Sequence, residues 1–194
     1  MVFATLLDPA AFSSEPTSNA DIHFVESPEL TQLDPSGIAR LIDRLAARAD
    51  VHRALLPVGG ALVGKTRDEW QQIPAESLVI NPIRDPEAWR AAATWPGDRG
   101  LILALVPAPG DEVPEPVEIL LWAVRYAASL GGRGLDRVGV AGMLPTPTAH
   151  VDMDEAARRI ALLERLVALS SASEATLRAE LDPRAFQPIE RPRR

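Results

Sequence analysis

The chain has 194 residues, 46% hydrophobic and 24% charged, which is enough for one packed core and too apolar for an intrinsically disordered chain. A formal charge of −7 and an aromatic content of 5% argue against bulk binding to nucleic acid or to an anionic membrane surface. The absence of cysteine excludes disulfides, thiolate metal sites, iron–sulfur clusters and a cysteine nucleophile.

In chain order, Met1–Leu7 lacks a basic region and meets Asp8 before a longer apolar stretch can form, which speaks against a signal peptide. No apolar run reaches the length of a membrane span, so a soluble, cytoplasmic protein is expected. Residues 8–20 are dense in turn formers, and 1–20 as a whole reads as an irregular leader. Asp21–Glu26 reads as a first strand. A helix comes next at Asp34-Pro35, with Asp as cap and Pro in the first turn, its buried stripe formed by Ile38, Leu41, Ile42, Leu45 and Ala49.

Apolar runs at 54–58, 77–80 and 100–106, and a last one at 137–144, read as further strands. A short helix begins at Asp85-Pro86 and runs to about Trp95, and a longer one spans Pro116 to Leu130. The longer helix is apolar almost all round, apart from a stripe with Glu118, Arg125 and Ser129, so it is expected to be well buried, with Gly131-Gly132 as its stop. Asp152 with Glu155, and Ser171 with Glu174, have capping-box spacing and open helices near 153–169 and 172–181.

Strand and helix signals alternate, and the runs at 77–80 and 100–106 are continuously apolar. These two facts predict one α/β domain over 21–182: a mostly parallel open sheet of about five strands flanked by helices, with a helical C-terminus. Residues 183–194 read as an extended Pro/Arg-rich arm. In such sheets ligands gather beyond the strands' carboxyl ends, near a reversal of strand order. That nominates Glu26–Glu29, Gly59–Thr66, Asn81–Asp85, Pro107–Glu112 and Pro145–His150.

The sharpest chemical pattern is Gly59-Gly60-Ala61-Leu62-Val63-Gly64-Lys65-Thr66, which fits the phosphate-cradling motif G-x-x-x-x-G-K-[ST]. Lys65 is the only lysine in the chain. In a working cradle, glycine-rich backbone N–H groups and Lys65 hold the phosphates of ATP or GTP, and Thr66 helps to hold Mg2+. The surroundings fit poorly, because Pro74 ends any helix after Thr66 within about two turns and no later strand ends in the acid that would complete the magnesium site.

His150, Asp152, Asp154 and Glu155 are candidate metal ligands, though helix capping explains the acids and the spacing matches no zinc signature. Asp111, Glu112, Glu115 and Glu118 offer a candidate acid/base pair or, more simply, a solvated acidic loop stiffened by prolines. His23 and His52 read as structural. Trp70, Trp89, Trp95 and Trp122, if exposed, are candidate interface anchors, and Arg191, Arg193 and Arg194 of the arm are candidate contacts for a partner's acidic surface.

Three functions are compatible with these features. The first is a non-catalytic accessory, assembly or regulatory protein acting through protein–protein contacts or self-association, which needs no catalytic signature. The second is a P-loop-like, degenerate ATP/GTP-binding protein using Gly59–Thr66 with Mg2+. The third is a metal-independent small-molecule enzyme with acids at the strand ends.

Overall fold

A computed structural model describes residues 3–7, 22–32, 34–47, 50–143 and 152–181. Its strands are β1 (Phe3–Leu7), β2 (Ile22–Glu26), β3 (His52–Leu56), β4 (Ser77–Ile80), β5 (Gly100–Val106) and β6 (Val138–Met143). Its helices are α1 (Pro35–Ala46), α2 (Arg67–Gln71), α3 (Ala88–Thr94), α4 (Val117–Ser129), α5 (Met153–Ser170) and α6 (Glu174–Glu180). Among the described residues no helix is long and apolar enough to cross a membrane.

The strands form one six-stranded sheet in the order β1-β6-β5-β4-β3-β2, and every neighbouring pair is parallel. The α/β class and parallel sheet expected from the sequence are present, with one strand more than expected. The extra strand is β1, inside the stretch read as an irregular leader, and its backbone pairs with β6 from Phe3↔Gly139 to Leu7↔Met143. The remainder of that leader, the Pro/Arg-rich arm with Arg191, Arg193 and Arg194, and His150 lie outside the described residues.

From β2 to β6 each strand lies beside its predecessor, so no reversal falls among these five strands; only the step from β1 to β2, across the sheet, runs the other way. Crossovers between parallel strands are right-handed, and right-handed connections that always step the same way put their helices on one face. Packing agrees. Every described helix contributes to one apolar cluster, which includes Leu41, Trp70, Ala91, Leu120, Leu166 and Leu177 together with Leu55, Leu78, Leu101 and Val140 from the strands. On the opposite face a second cluster contains strand residues only: Ala54, Val79, Ile102, Ala104 and Ala141, with Ile22, Phe24 and Leu56 against them. Alternation along each strand thus divides a continuously apolar run between a helix-covered face of large side chains and a face of mostly small ones.

Local chemistry fixes the helices. Asp34 caps α1 by accepting from the Ser36 amide at 3.0 Å, and Pro35 presets its first turn. The Asp152 carboxylate accepts from the amides of Asp154 and Glu155 at 2.9 and 3.3 Å, opening α5. For α6 the cap is Ser173, which accepts from the Thr176 amide at 3.2 Å, and not Ser171 as its spacing predicts; Ser171 closes α5. After α4 the chain turns back through Gly131 and Gly132, at φ +61° and +69°. That left-handed conformation is why glycine supplies the stop.

Candidate functional site

The segment Gly59–Thr66 leaves β3 as an irregular loop rather than a phosphate cradle. Its amides diverge: Val63 N–H donates to the Leu30 carbonyl at 3.1 Å, and Leu62 N–H donates to the Asp85 carboxylate at 3.3 Å. The next helix, α2, has only five residues and begins after Thr66, not at Lys65. Thr66 is its cap, and a capping box consumes both of its polar groups. The Glu69 carboxylate accepts from the Thr66 amide and hydroxyl, each at 2.7 Å, and the Thr66 hydroxyl oxygen accepts from the Glu69 amide at 3.3 Å. The Thr66 hydroxyl above all, then its amide and the nearby charge of Lys65, hold the Glu69 carboxyl below its usual range. Gly59 serves a turn at φ +85°, and Gly60 lines a cavity at the strand ends, whereas Gly64 is exposed with open space where a Cβ would stand.

The four tryptophans divide sharply. Trp70 and Trp95 are fully buried, edge to face with ring centroids 5.2 Å apart. Their indole N–H groups donate to the Thr94 hydroxyl and the Gly100 carbonyl, both at 3.0 Å. Neither can anchor a partner; the polar stretch around Trp70 conceals a helix too short to show a period. Trp89 on α3 is half-buried and leads outward. Its ring meets Tyr126 and Trp122 of α4 edge-on, at 4.9 and 6.1 Å. Trp122 and Tyr126 stack at 5.2 Å with 5° between planes.

Helix α4 therefore departs from its expected burial. Val117, Leu120, Leu121, Ala123, Val124 and Ala127 face the core, but Trp122 is 56% exposed, Ile119 43% and Tyr126 39%. Positions 119, 122 and 126 recur at helical spacing, so they form one outward stripe beside Glu118 and Arg125. Trp122 is thus the one of the four tryptophans left mostly exposed, whereas Ile119 and Tyr126 give no signal in the sequence, because an all-round apolar helix has no period to distinguish its covered side from its open one.

The nominated acids are dispersed. Glu155 accepts from Arg159 at 2.6 Å and from the Gly110 amide at 3.2 Å, tying α5 to the β5–α4 loop. The Arg159 hydrogen bond is the main reason its carboxyl lies below the usual range. Asp152 and Asp154 lie in the α5 cap, the former accepting and the latter donating its amide. Asp111 and Glu112 are exposed and face Arg84 at 3.8 and 3.5 Å, while Glu115 is also exposed. No close acid/base pair forms among them.

At the carboxyl ends of β2–β5 lies a cavity of about 470 Å3. Leu56, Val79 and Ala104 form its floor, from the face opposite the described helices, with Val58 and Leu62 as walls. Glu26, Asn81, Arg84 and Asp85 supply its polar groups. Three of the nominated rim segments, at 26–29, 59–66 and 81–85, thus meet at one place. The chain matches no protein-family model and no curated protein.

Proposed function

We propose that this protein is a non-catalytic assembly protein, and that it works by pairing with a second copy of itself through the α3–α4 aromatic face. The observation carrying this reading is the exposed Trp122–Tyr126 stack, buttressed from behind by Trp89. Aromatic rings held rigid in the free protein lose little entropy on docking, and Trp and Tyr dominate interface energetics. A stack of this kind left exposed on a helix otherwise committed to the core costs solubility unless a partner covers it.

The occupant is set by the order of residues along the stripe. A two-fold axis at Trp122 with antiparallel α4 helices sets Trp122 against Trp122, Ile119 against Tyr126 and Glu118 against Arg125. One helix face is then its own complement in both shape class and charge, as an isologous dimer requires. The pairing places aromatic contacts at the centre and charges at the rim, the usual anatomy of an interface.

Sedimentation equilibrium of the full chain tests the reading. A dimer is expected, with Trp122→Glu monomeric. Arg125→Glu weakens association by placing two acids face to face, and adding Glu118→Arg restores it. A monomeric wild type at about 100 μM, or a dimer indifferent to the charge exchange, removes self-pairing through α4.

A further inference from the structure

The geometry points to the cavity at the strands' carboxyl rim as a binding site for a small apolar molecule carrying a single cationic amine. Size and lining set the apolar part. A volume of about 470 Å3 falls in the range of small-molecule sites. Its floor of Leu56, Val79 and Ala104 is contributed by alternate positions of three adjacent strands, so it belongs to the sheet and not to a loose loop.

The polar groups decide the charge. Among the described residues Arg84 is the only cation lining the cavity, and it already faces Asp111 and Glu112 across 3.8 and 3.5 Å. Asp85 is engaged on both oxygens: one accepts from the Leu62 amide at 3.3 Å and the other from the Glu87 amide at 3.1 Å. The Asn81 side-chain oxygen accepts from the Arg84 amide at 3.1 Å. Glu26 is different. Its backbone carbonyl accepts from Arg44 at 3.2 Å, yet its carboxylate has no hydrogen bond or ion pair among the described residues. It stands at the end of β2, level with Leu56 in the register and on the same face as the cavity floor.

A half-buried carboxylate beside an apolar floor, with its local cation already neutralised, favours a cation that brings its own hydrophobic surface. Anionic ligands, phosphates included, would meet Glu26 and Asp85 with only a shared arginine in return. The site is independent of the α4 face and its test does not depend on dimer formation.

The probes are cyclohexylmethylamine, phenethylamine and isoamylamine, titrated calorimetrically into the full-length protein at pH 7.5. Cyclohexanecarboxylate and cyclohexylmethanol serve as the anionic and neutral counterparts. At least one amine is expected to bind, with the carboxylate silent and the alcohol weaker. Glu26→Gln is expected to weaken that amine at least tenfold, as loss of a charge-assisted contact of about 1.5–3 kcal/mol implies. Amide NMR shifts confined to residues around Leu56, Val79 and Ala104 are expected on titration. No binding by any of the three amines, equal binding by the carboxylate, or undiminished amine binding in a folded Glu26→Gln variant each overturns the assignment. If Glu26→Gln fails to fold, NMR shifts outside the cavity in the wild type do the same.

Discussion

The guanidinium of Arg133 donates to the carbonyl of Trp95 at 3.2 Å, so a buried cation closes the C-terminus of the helix that ends on a buried tryptophan. Arg133 also donates to Pro96 at 3.2 Å, to Arg99 at 2.8 Å, and to Ala127 and Leu130 at 3.3 Å each. It therefore satisfies carbonyls at the ends of both α3 and α4, which carry the aromatic face. Burial first, and then Arg137, lowers its pKa to about 10, which leaves it charged at neutral pH.

Arg133→Met removes a fork of donors and leaves buried carbonyls without partners. A loss of about 3–5 kcal/mol is expected, seen as a fall of roughly 10 °C in Tm. Arg133→Lys should recover little, because a point charge on a flexible stem cannot reach diverging carbonyls. A lysine variant as stable as wild type in urea titration would show that charge and not geometry matters here.

Trp70 and Trp122 should behave as opposites. Trp70→Ala empties a fully buried site and breaks an indole hydrogen bond, at a cost of about 3–5 kcal/mol. Trp122→Ala should change the unfolding free energy of the monomer by less than about 1 kcal/mol while weakening self-association. Denaturant titration and sedimentation on the same two variants separate these effects.

Acid should destabilise the protein in two windows. Burial, opposed by Glu76 and aided by Arg53, lowers the pKa of His52, whose ring bonds to the Ser77 hydroxyl at 2.9 Å. The unfolded chain then binds the extra proton first, so stability is complete above about 6.5 and falls as pH drops from there toward the lowered value. For Glu76, burial raises the pKa, but the hydrogen bonds and charge of Arg53 outweigh it and hold the carboxyl below 4.5. Its contribution is present above that value and is lost at lower pH. Urea titrations at several pH values should show the upper step missing in His52→Gln and the lower step reduced in Glu76→Gln, with Glu69 and Glu155 contributing to the remainder.

Thr66→Ala should cost about 1 kcal/mol through loss of the α2 cap, with or without Mg-ATP present. Lys65→Ala should be close to neutral. A rise in the wild-type Tm with Mg-ATP that Lys65→Ala abolishes would reinstate the phosphate loop.

Much of this architecture is legible in the residues themselves. Asp34-Pro35 and Asp152 mark helix starts because caps act over one turn, and the uninterrupted runs of β4 and β5 mark strands buried on both faces. The rim rule also brings Glu26 and Asn81–Asp85 into view. β1 escapes because Phe3–Leu7 is short and its partner lies at the far end of the chain. The Gly59–Thr66 pattern misleads because its meaning depends on where the amides point, and the Pro28–Leu30 turn and Asp85 draw them apart. Which side of α4 stays open depends on the sheet beneath it, a relation that no local spacing encodes.

The sheet order also sets a timetable for synthesis. β2 to β6 can be added one at a time as they emerge from the ribosome, each new strand finding its neighbour already in place. β1 is made before any of them, yet it must wait for β6, so its pairing closes the longest loop in the sheet and carries the largest entropic penalty. Until that late zippering, the free side of β6 is an open template for strands from other nascent chains.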